Sequence, residues 1–365
     1  MHSIRSFKGV VPLAIVVAWV AAAPARAQTT DDGRRWEVEG YAGLFVPTGG
    51  SVEGAPVLPL PGPPIATSSP IFPSRRVPSW FFGDGALLLN QVNGQFGVDA
   101  LITPLDSALG GSALSTGSGL AAGARVRRAL SDRFAIEASF DFFPSASDLS
   151  DDVVAAAETT RASFVPAFQG LLATGPFTDI DVSSSSSRGG SALEIAATGA
   201  LVWRLGASGG FDPYLTLGGG VISGAGDGAA LTLEGHYAFR VLGEVPIDET
   251  DRLTVRVSSR TVFAGLVGAG LRRALSERWG IRIDGRVLIG PRTTQVLLDT
   301  EPLIAQGTPA DFVESFTAPS IQFSNNAATG RESSLGGPGL QGFETFAQDG
   351  LQARVLITAG VFFRF

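Results

Sequence analysis

The chain is expected to be all-β: a single antiparallel transmembrane up-and-down β-barrel of about ten strands with long extracellular loops. Three observations point there. The last fifteen residues place Leu351, Ala353, Val355, Ile357, Ala359, Val361, Phe363 and Phe365 on one face of an extended segment. Gln352, Arg354, Thr358, Gly360 and Arg364 take the other face, with Leu356 and Phe362 as apolar exceptions. A strand greasy on one side and polar on the other suits a wall between lipid and a polar lumen. The same period of two returns in segment after segment, between breaks rich in Gly and Pro. Finally, the chain opens as exported proteins do, with Arg5 and Lys8, an apolar run from Val10 to Ala23, and Ala25-Arg26-Ala27 as an A-x-A cleavage site.

That apolar run is interrupted by Pro12 and is short against the roughly 20 residues a transmembrane helix needs. Residues 1–27 are therefore expected to be a signal peptide, and 28–365 the barrel domain. Cleavage changes 27 basic against 34 acidic residues to 24 against 34, a formal charge of -10. An acidic exported chain is a poor nucleic-acid binder. With no cysteine, neither a disulfide nor a lipid-anchored cysteine holds it. A second run of eighteen apolar residues is absent, which excludes a helical membrane protein, and 47 glycines with only 17% charge fit many strands and turns.

Taken in order, Trp36 to Val46 alternates over the length of a tilted membrane strand. Pro47 to Pro78 carries nine prolines and cannot be interior sheet. It opens a first long loop, about 47–116. Within that loop Ala86 to Ile102, with Asn93-Gly94 as its turn, reads as a hairpin above the membrane or as two further wall strands. Leu120 to Ala129 and Phe134 to Phe143 form a tight hairpin around Ser131. A second long loop, about 144–191, contains the Ser183 to Ser187 tract. Ala192 to Leu205, Phe211 to Val221, Leu231 to Val241, Arg252 to Ser258, Thr261 to Ala274 and Trp279 to Ile289 are further wall strands. A third loop, about 292–350, precedes the closing strand. Eight strands result if Leu231 to Ser258 lies outside the wall, and twelve if Ala86 to Ile102 joins it.

RRALSDRFAI at Arg127 to Ile136 recurs as RRALSERWGI at Arg272 to Ile281. Both are read as short periplasmic turns. Trp36, Phe134, Phe211 and Trp279 open strands that leave such turns, and Trp203 closes one that arrives; aromatics gathered at one height form an interfacial girdle. The opposite faces carry Glu37, Glu39, Arg125, Arg127, Glu137, Asp141, Glu194, Arg204, Glu234, His236, Arg240, Arg256, Arg282, Asp284, Arg286 and Arg354. These are expected to meet in the lumen as ion pairs that nearly fill the bore.

The final residues TAGVFFRF resemble the outer-membrane assembly signal through Thr358, Gly360, Phe363 and Phe365. GYAGLFVPTGG near Gly40, FDPYLTLGGG from Phe211 and the hairpins around Ser131 and Ser276 are similar to the OmpA-like outer-membrane β-barrel superfamily. The resemblance covers about half the chain, the wall strands. It implies residence in the bacterial outer membrane, contact with outer-membrane lipid, and insertion by the outer-membrane assembly machinery. No peptidoglycan-binding domain trails the barrel, and the loops are longer than those of minimal barrels.

Catalysis is not expected. His236 is the sole histidine after cleavage and, with Glu234 and Arg240, reads better as part of an ion-pair ladder than as an acid–base pair. One histidine without cysteine makes no transition-metal site. The Gly218 to Gly220 triplet lacks a following Lys-Ser, so no cofactor is expected. A structural or surface-interaction role leads, with the ligand of the loops unidentified. A small-solute channel is the alternative, and an outer-membrane hydrolase or lipid-modifying enzyme comes third.

Overall fold

The computed structural model describes residues 36–48, 75–77, 79–110, 113–115, 117–144, 147–190, 193–206, 210–241, 245–291, 294–304, 331–333, 340–347 and 350–365. The expected signal peptide and most of the proline-rich segment lie outside them. In chain order the strands begin with β1 (Trp36–Thr48), β2 (Arg75–Val77), β3 (Leu114–Ser115), β4 (Gly119–Ala129), β5 (Phe134–Pro144) and β6 (Asp148–Leu149). They continue as β7 (Phe177–Gly189), β8 (Leu193–Arg204), β9 (Asp212–Ala225), β10 (Ala230–Val241), β11 (Val245–Ser259) and β12 (Val262–Ala274). Last come β13 (Trp279–Pro291), β14 (Thr294–Ile304), β15 (Arg331–Ser333), β16 (Phe343–Ala347) and β17 (Leu351–Arg364).

Eight of these close an antiparallel barrel in the order β1, β4, β5, β8, β9, β12, β13, β17, and β17 pairs back onto β1. Three short turns and both ends of the described wall lie at one end, and four long excursions leave the other. The two copies of the repeated hairpin fold alike. Leu130 and Ser131 N–H both donate to the Phe134 carbonyl, at 2.9 and 3.1 Å, as Leu275 and Ser276 do to Trp279, at 2.9 and 3.0 Å. In each the serine hydroxyl accepts the returning aromatic's N–H, at 3.1 and 3.0 Å. A short polar side chain that satisfies a turn's own backbone explains why the same letters recur.

Ten wall strands were expected, and eight are found. Leu231 to Val241 and Arg252 to Ser258 belong to a second, five-stranded sheet ordered β16, β14, β11, β10, β7. Both segments do alternate with a period of two, but periodicity alone does not say what covers each face. The second sheet also follows the wall strand for strand. β7, β10, β11, β14 and β16 each adjoin in sequence β8, β9, β12, β13 and β17, in the same lateral order. It is the wall carried onward past a break.

At that break the sidedness reverses. In the barrel, Leu201, Leu217, Val267, Ile283 and Ile357 are exposed on the outside while Arg282 and Asp284 are buried. In the second sheet, Leu233, Tyr237, Leu253, Val255 and Leu298 are buried, and Glu234, His236 and Arg252 lie half-exposed on the opposite face. Two helices cover the apolar face of that sheet. Gly83–Gln95 replaces the expected hairpin of Ala86 to Ile102: Leu88, Leu89 and Val92 turn to the core, and in the last turn Asn93 donates its amide to the Ala100 and Ala167 carbonyls. A turn-forming Asn-Gly pair serves a helix end as readily as a hairpin.

The longer helix, Asp151–Leu172, starts at Ser150, whose hydroxyl accepts the Val153 N–H at 3.3 Å, with Asp151 and Asp152 in the first turn. Val153, Ala157, Phe164, Ala167, Phe168 and Leu171 recur at helical spacing and are buried. Phe168 stacks on Tyr237 with centroids 4.8 Å apart. The Ser183 to Ser187 tract, expected in a loop, lies in β7 and pairs with β10. The excursions thus build a cap with its own hydrophobic core.

Candidate functional site

From the short-turn end upward, the bore is filled in layers. The lowest centres on Glu37, which accepts from Arg272 Nη2 at 2.5 and 2.7 Å and from Arg364 Nε at 2.9 Å; Arg127 Nη1 lies 3.5 Å away. Asp212 accepts from Arg204 Nε at 2.8 Å. Strand register sets this layer, because Glu37 faces both Arg127 and Arg364 across its two neighbours.

The next layer is denser. Arg282 donates to Glu137 at 2.5 Å and to Glu39 at 3.1 Å, and Arg286 bonds both Glu137 and Asp284. Arg125 lies 2.9 Å from Asp284 and 3.3 Å from Glu39, with its guanidinium 3.7 Å over the Tyr41 ring. Tyr41 donates to Asp141, and Tyr214 to Asp284 at 2.8 Å. These groups are almost wholly buried, so each charge depends on its partner.

Above them lies an apolar disc of Phe45, Phe143, Ile222, Leu266, Leu288 and Leu356, with Phe45 and Phe143 meeting edge-on at 5.3 Å. Glu194 and Arg354 pair through two hydrogen bonds, at 3.0 and 3.1 Å. A cavity of about 150 Å³ opens where wall meets cap, beside Glu194, Asp227, Arg256 and Ser258. Glu194 is taken by Arg354, and Arg256 by Asp299 at 2.7 Å.

Glu37, Arg125, Glu137, Asp141, Glu194, Arg204, Arg282, Asp284, Arg286 and Arg354 thus come together inside the barrel, with Glu39 and Arg127. Glu234, His236, Arg240 and Arg256 do not, and their assignment to the lumen is corrected. They lie on the polar face of the cap sheet. There Arg252 bridges Glu234 and Glu301, at 2.6 and 2.8 Å, and His236 Nδ1 is 3.2 Å from the Thr250 hydroxyl. Arg240 is 3.1 Å from Asp179. Alternation placed these residues on the polar face of their strands, but that face belongs to the cap.

Arg364, placed on the polar face of the last strand, also joins the bore network. Arg272, Asp212 and Tyr214 join it without having been singled out, although their places on the polar faces of alternating strands would have found them. Trp36, Phe134, Trp203, Phe211 and Trp279 all stand at the short-turn end; Phe134 faces Trp203 across β5 and β8. The ring of Trp279 lies 4.9 Å from that of Phe363, and Phe365 N–H donates to the Trp36 carbonyl at 3.1 Å. Thr358 points into the bore and Gly360 packs beside Glu39. Gly218 and Gly220 are where β8 and β9 approach closely: a Cβ on either would lie 2.0 Å from a β8 carbonyl, which explains the glycine run without a phosphate.

A second buried polar cluster sits in the cap. The Asp251 carboxylate accepts the Ser79 hydroxyl and the Trp80 N–H, both at 2.6 Å, and its other oxygen has no partner. Burial pushes its pKa up to about 7, partly offset by those two hydrogen bonds. Nearby, Tyr237 donates to Glu249 at 2.9 Å, and burial holds that phenol well above its ordinary value. Nothing in the sequence marked Asp251, because its partner segment lies some 170 residues away in the first excursion. Among the described residues no three His, Asp or Glu side chains converge as a metal site would require. The sequence matches no protein-family model and no curated protein.

Proposed function

We propose that the chain is an integral outer-membrane β-barrel of the OmpA-like kind, exported through a cleaved signal peptide. Its bore is closed, and its cap is held outside the lipid for a structural or surface-interaction role rather than catalysis. One observation carries this reading: the strands keep their period of two, yet their greasy side changes from outward to inward at the level where wall becomes cap. Lipid around the barrel and water around the cap account for that reversal with one boundary. The aromatic residues at the short-turn end fit a headgroup-level girdle on the other side of the same apolar band.

Closure follows from the filling. Ion pairs occupy the lower bore, and the apolar disc above them offers nothing to replace an ion's hydration. No feature of the bore favours a small-solute channel over this plug. After expression with its leader, the protein is expected in the outer-membrane fraction, with heat-modifiable migration on a detergent gel and bilayer conductance at background. Stepwise conductance from a correctly folded preparation would overturn the closed bore. A compact, water-soluble polypeptide that needs no detergent would overturn the membrane reading itself.

A further inference from the structure

The repeated hairpin presents its two arginines to opposite sides of the wall. Arg127 and Arg272 point into the bore, whereas Arg128 and Arg273 are exposed on the outer surface. The Arg128 guanidinium lies 5.3 Å over the Trp36 ring, directly opposite it in register, and that of Arg273 lies 5.1 Å over Phe211. Each following turn adds an exposed arginine at the same place, Arg133 or Arg278, whose carbonyl accepts from Arg204 or Arg364 at 2.8 Å. The turns also carry one acid each, Asp132 and Glu277, so each rim has two guanidiniums against one carboxylate.

Every bore arginine has a carboxylate within 4.0 Å, but among the described residues none of these four rim arginines does. A guanidinium held over an aromatic face by cation–π attraction still has its N–H donors to offer, and that fork matches two phosphate oxygens. Aromatic residues of a membrane wall settle at headgroup depth, where lipid phosphates lie. The chain as a whole is acidic, with a sequence pI near 5.0, so cationic rims are not a general property of its surface.

We propose that each rim holds the phosphate of an anionic glycerophospholipid in the leaflet that meets the short turns. Arg128 with Trp36 forms one site and Arg273 with Phe211 the other. The proposal rests on the membrane reading above. The test uses the full mature chain in detergent micelles doped with phosphatidylglycerol, with retained lipids counted by native mass spectrometry. Two lipids are expected on the unaltered protein, with one site weakened on Arg128→Gln or Arg273→Gln and both weakened on the double variant. Affinity should fall about fivefold per guanidinium lost, the factor that ~1 kcal/mol per basic residue at an anionic surface gives. Arg240→Gln in the cap should leave both lipids in place.

Heat-modifiable migration of every variant separates loss of a site from loss of the fold. Two lipids held with unchanged affinity by a folded double variant would overturn the proposal, as would none on the folded unaltered protein. Inorganic phosphate displacing the lipid at equal concentration would also overturn it, by showing a generic anion site. Absence of heat-modifiable migration from the unaltered protein would instead bring down the membrane reading, and this proposal with it.

Discussion

Glu137→Gln should cost the folded barrel about 3–5 kcal/mol, the usual penalty for removing one partner of a buried ion pair. Glu137 is the shared acceptor of Arg282 and Arg286, and all three side chains are within 2% of complete burial. Glutamine keeps the shape but removes the charge. Arg286 then leans on Asp284 alone, while Arg282 keeps Glu39 at 3.1 Å and Asp284 at 3.7 Å. Glu301→Gln breaks the pair with Arg252 on the cap, where Glu301 is 61% exposed, and should cost about 1 kcal/mol or less. Unfolding midpoints in detergent, read by heat-modifiable migration, compare the two. Adding Arg286→Gln to Glu137→Gln should cost less than the single changes summed, because the second change removes the cation the first left stranded. Strict additivity would show that packing, not charge, holds the bore.

The cap should be more firmly closed at pH 5 than at pH 8, and Asp251→Asn should abolish that difference. Asp251 is held at about 7 in the folded cap by burial, against roughly 3.9 when exposed. Between those values the folded state binds a proton that the unfolded state has released. The stabilisation is therefore complete below about pH 4 and is lost as pH rises through 7. Three units amount to about 4 kcal/mol, an order-of-magnitude figure. Asparagine accepts from Ser79 and Trp80 without carrying charge. Amide protection factors along helix Asp151–Leu172 report the effect after correction for intrinsic exchange. The variant should be flat with pH and better protected than the unaltered protein at pH 8. An unaltered protein equally flat would remove Asp251 from any role in cap stability.

Much of the wall was legible because a barrel strand states its two environments in alternate residues. Trp36 to Val46, Phe134 to Phe143 and Leu351 to Phe365 all read correctly, and the limits expected for three of the four long excursions came within a few residues of the observed strand ends. Leu231 to Val241 misled for a physical reason. A cap strand packed under helices and a barrel strand with its apolar residues on the outside both show one greasy face. Only the neighbouring strands and the covering helices reveal which medium lies beyond it. The long helix was hidden because Ala-, Thr- and Ser-rich turns between Pro144 and Gly190 resemble a polar loop until Val153, Phe164 and Phe168 are read at helical spacing. The Asp251 cluster joins segments far apart in sequence, and no local pattern announces such a contact.

The barrel's apolar band is tested most directly by its contact medium. The chain has no cysteine, so single cysteines can be placed at Ile283 on the wall and Thr250 on the cap, spin-labelled, and compared in reconstituted vesicles. The label at 283 should collide with dissolved oxygen and be shielded from a water-soluble nickel chelate, and the label at 250 should do the reverse. Nickel reaching both labels alike would mean that water, not lipid, surrounds the barrel.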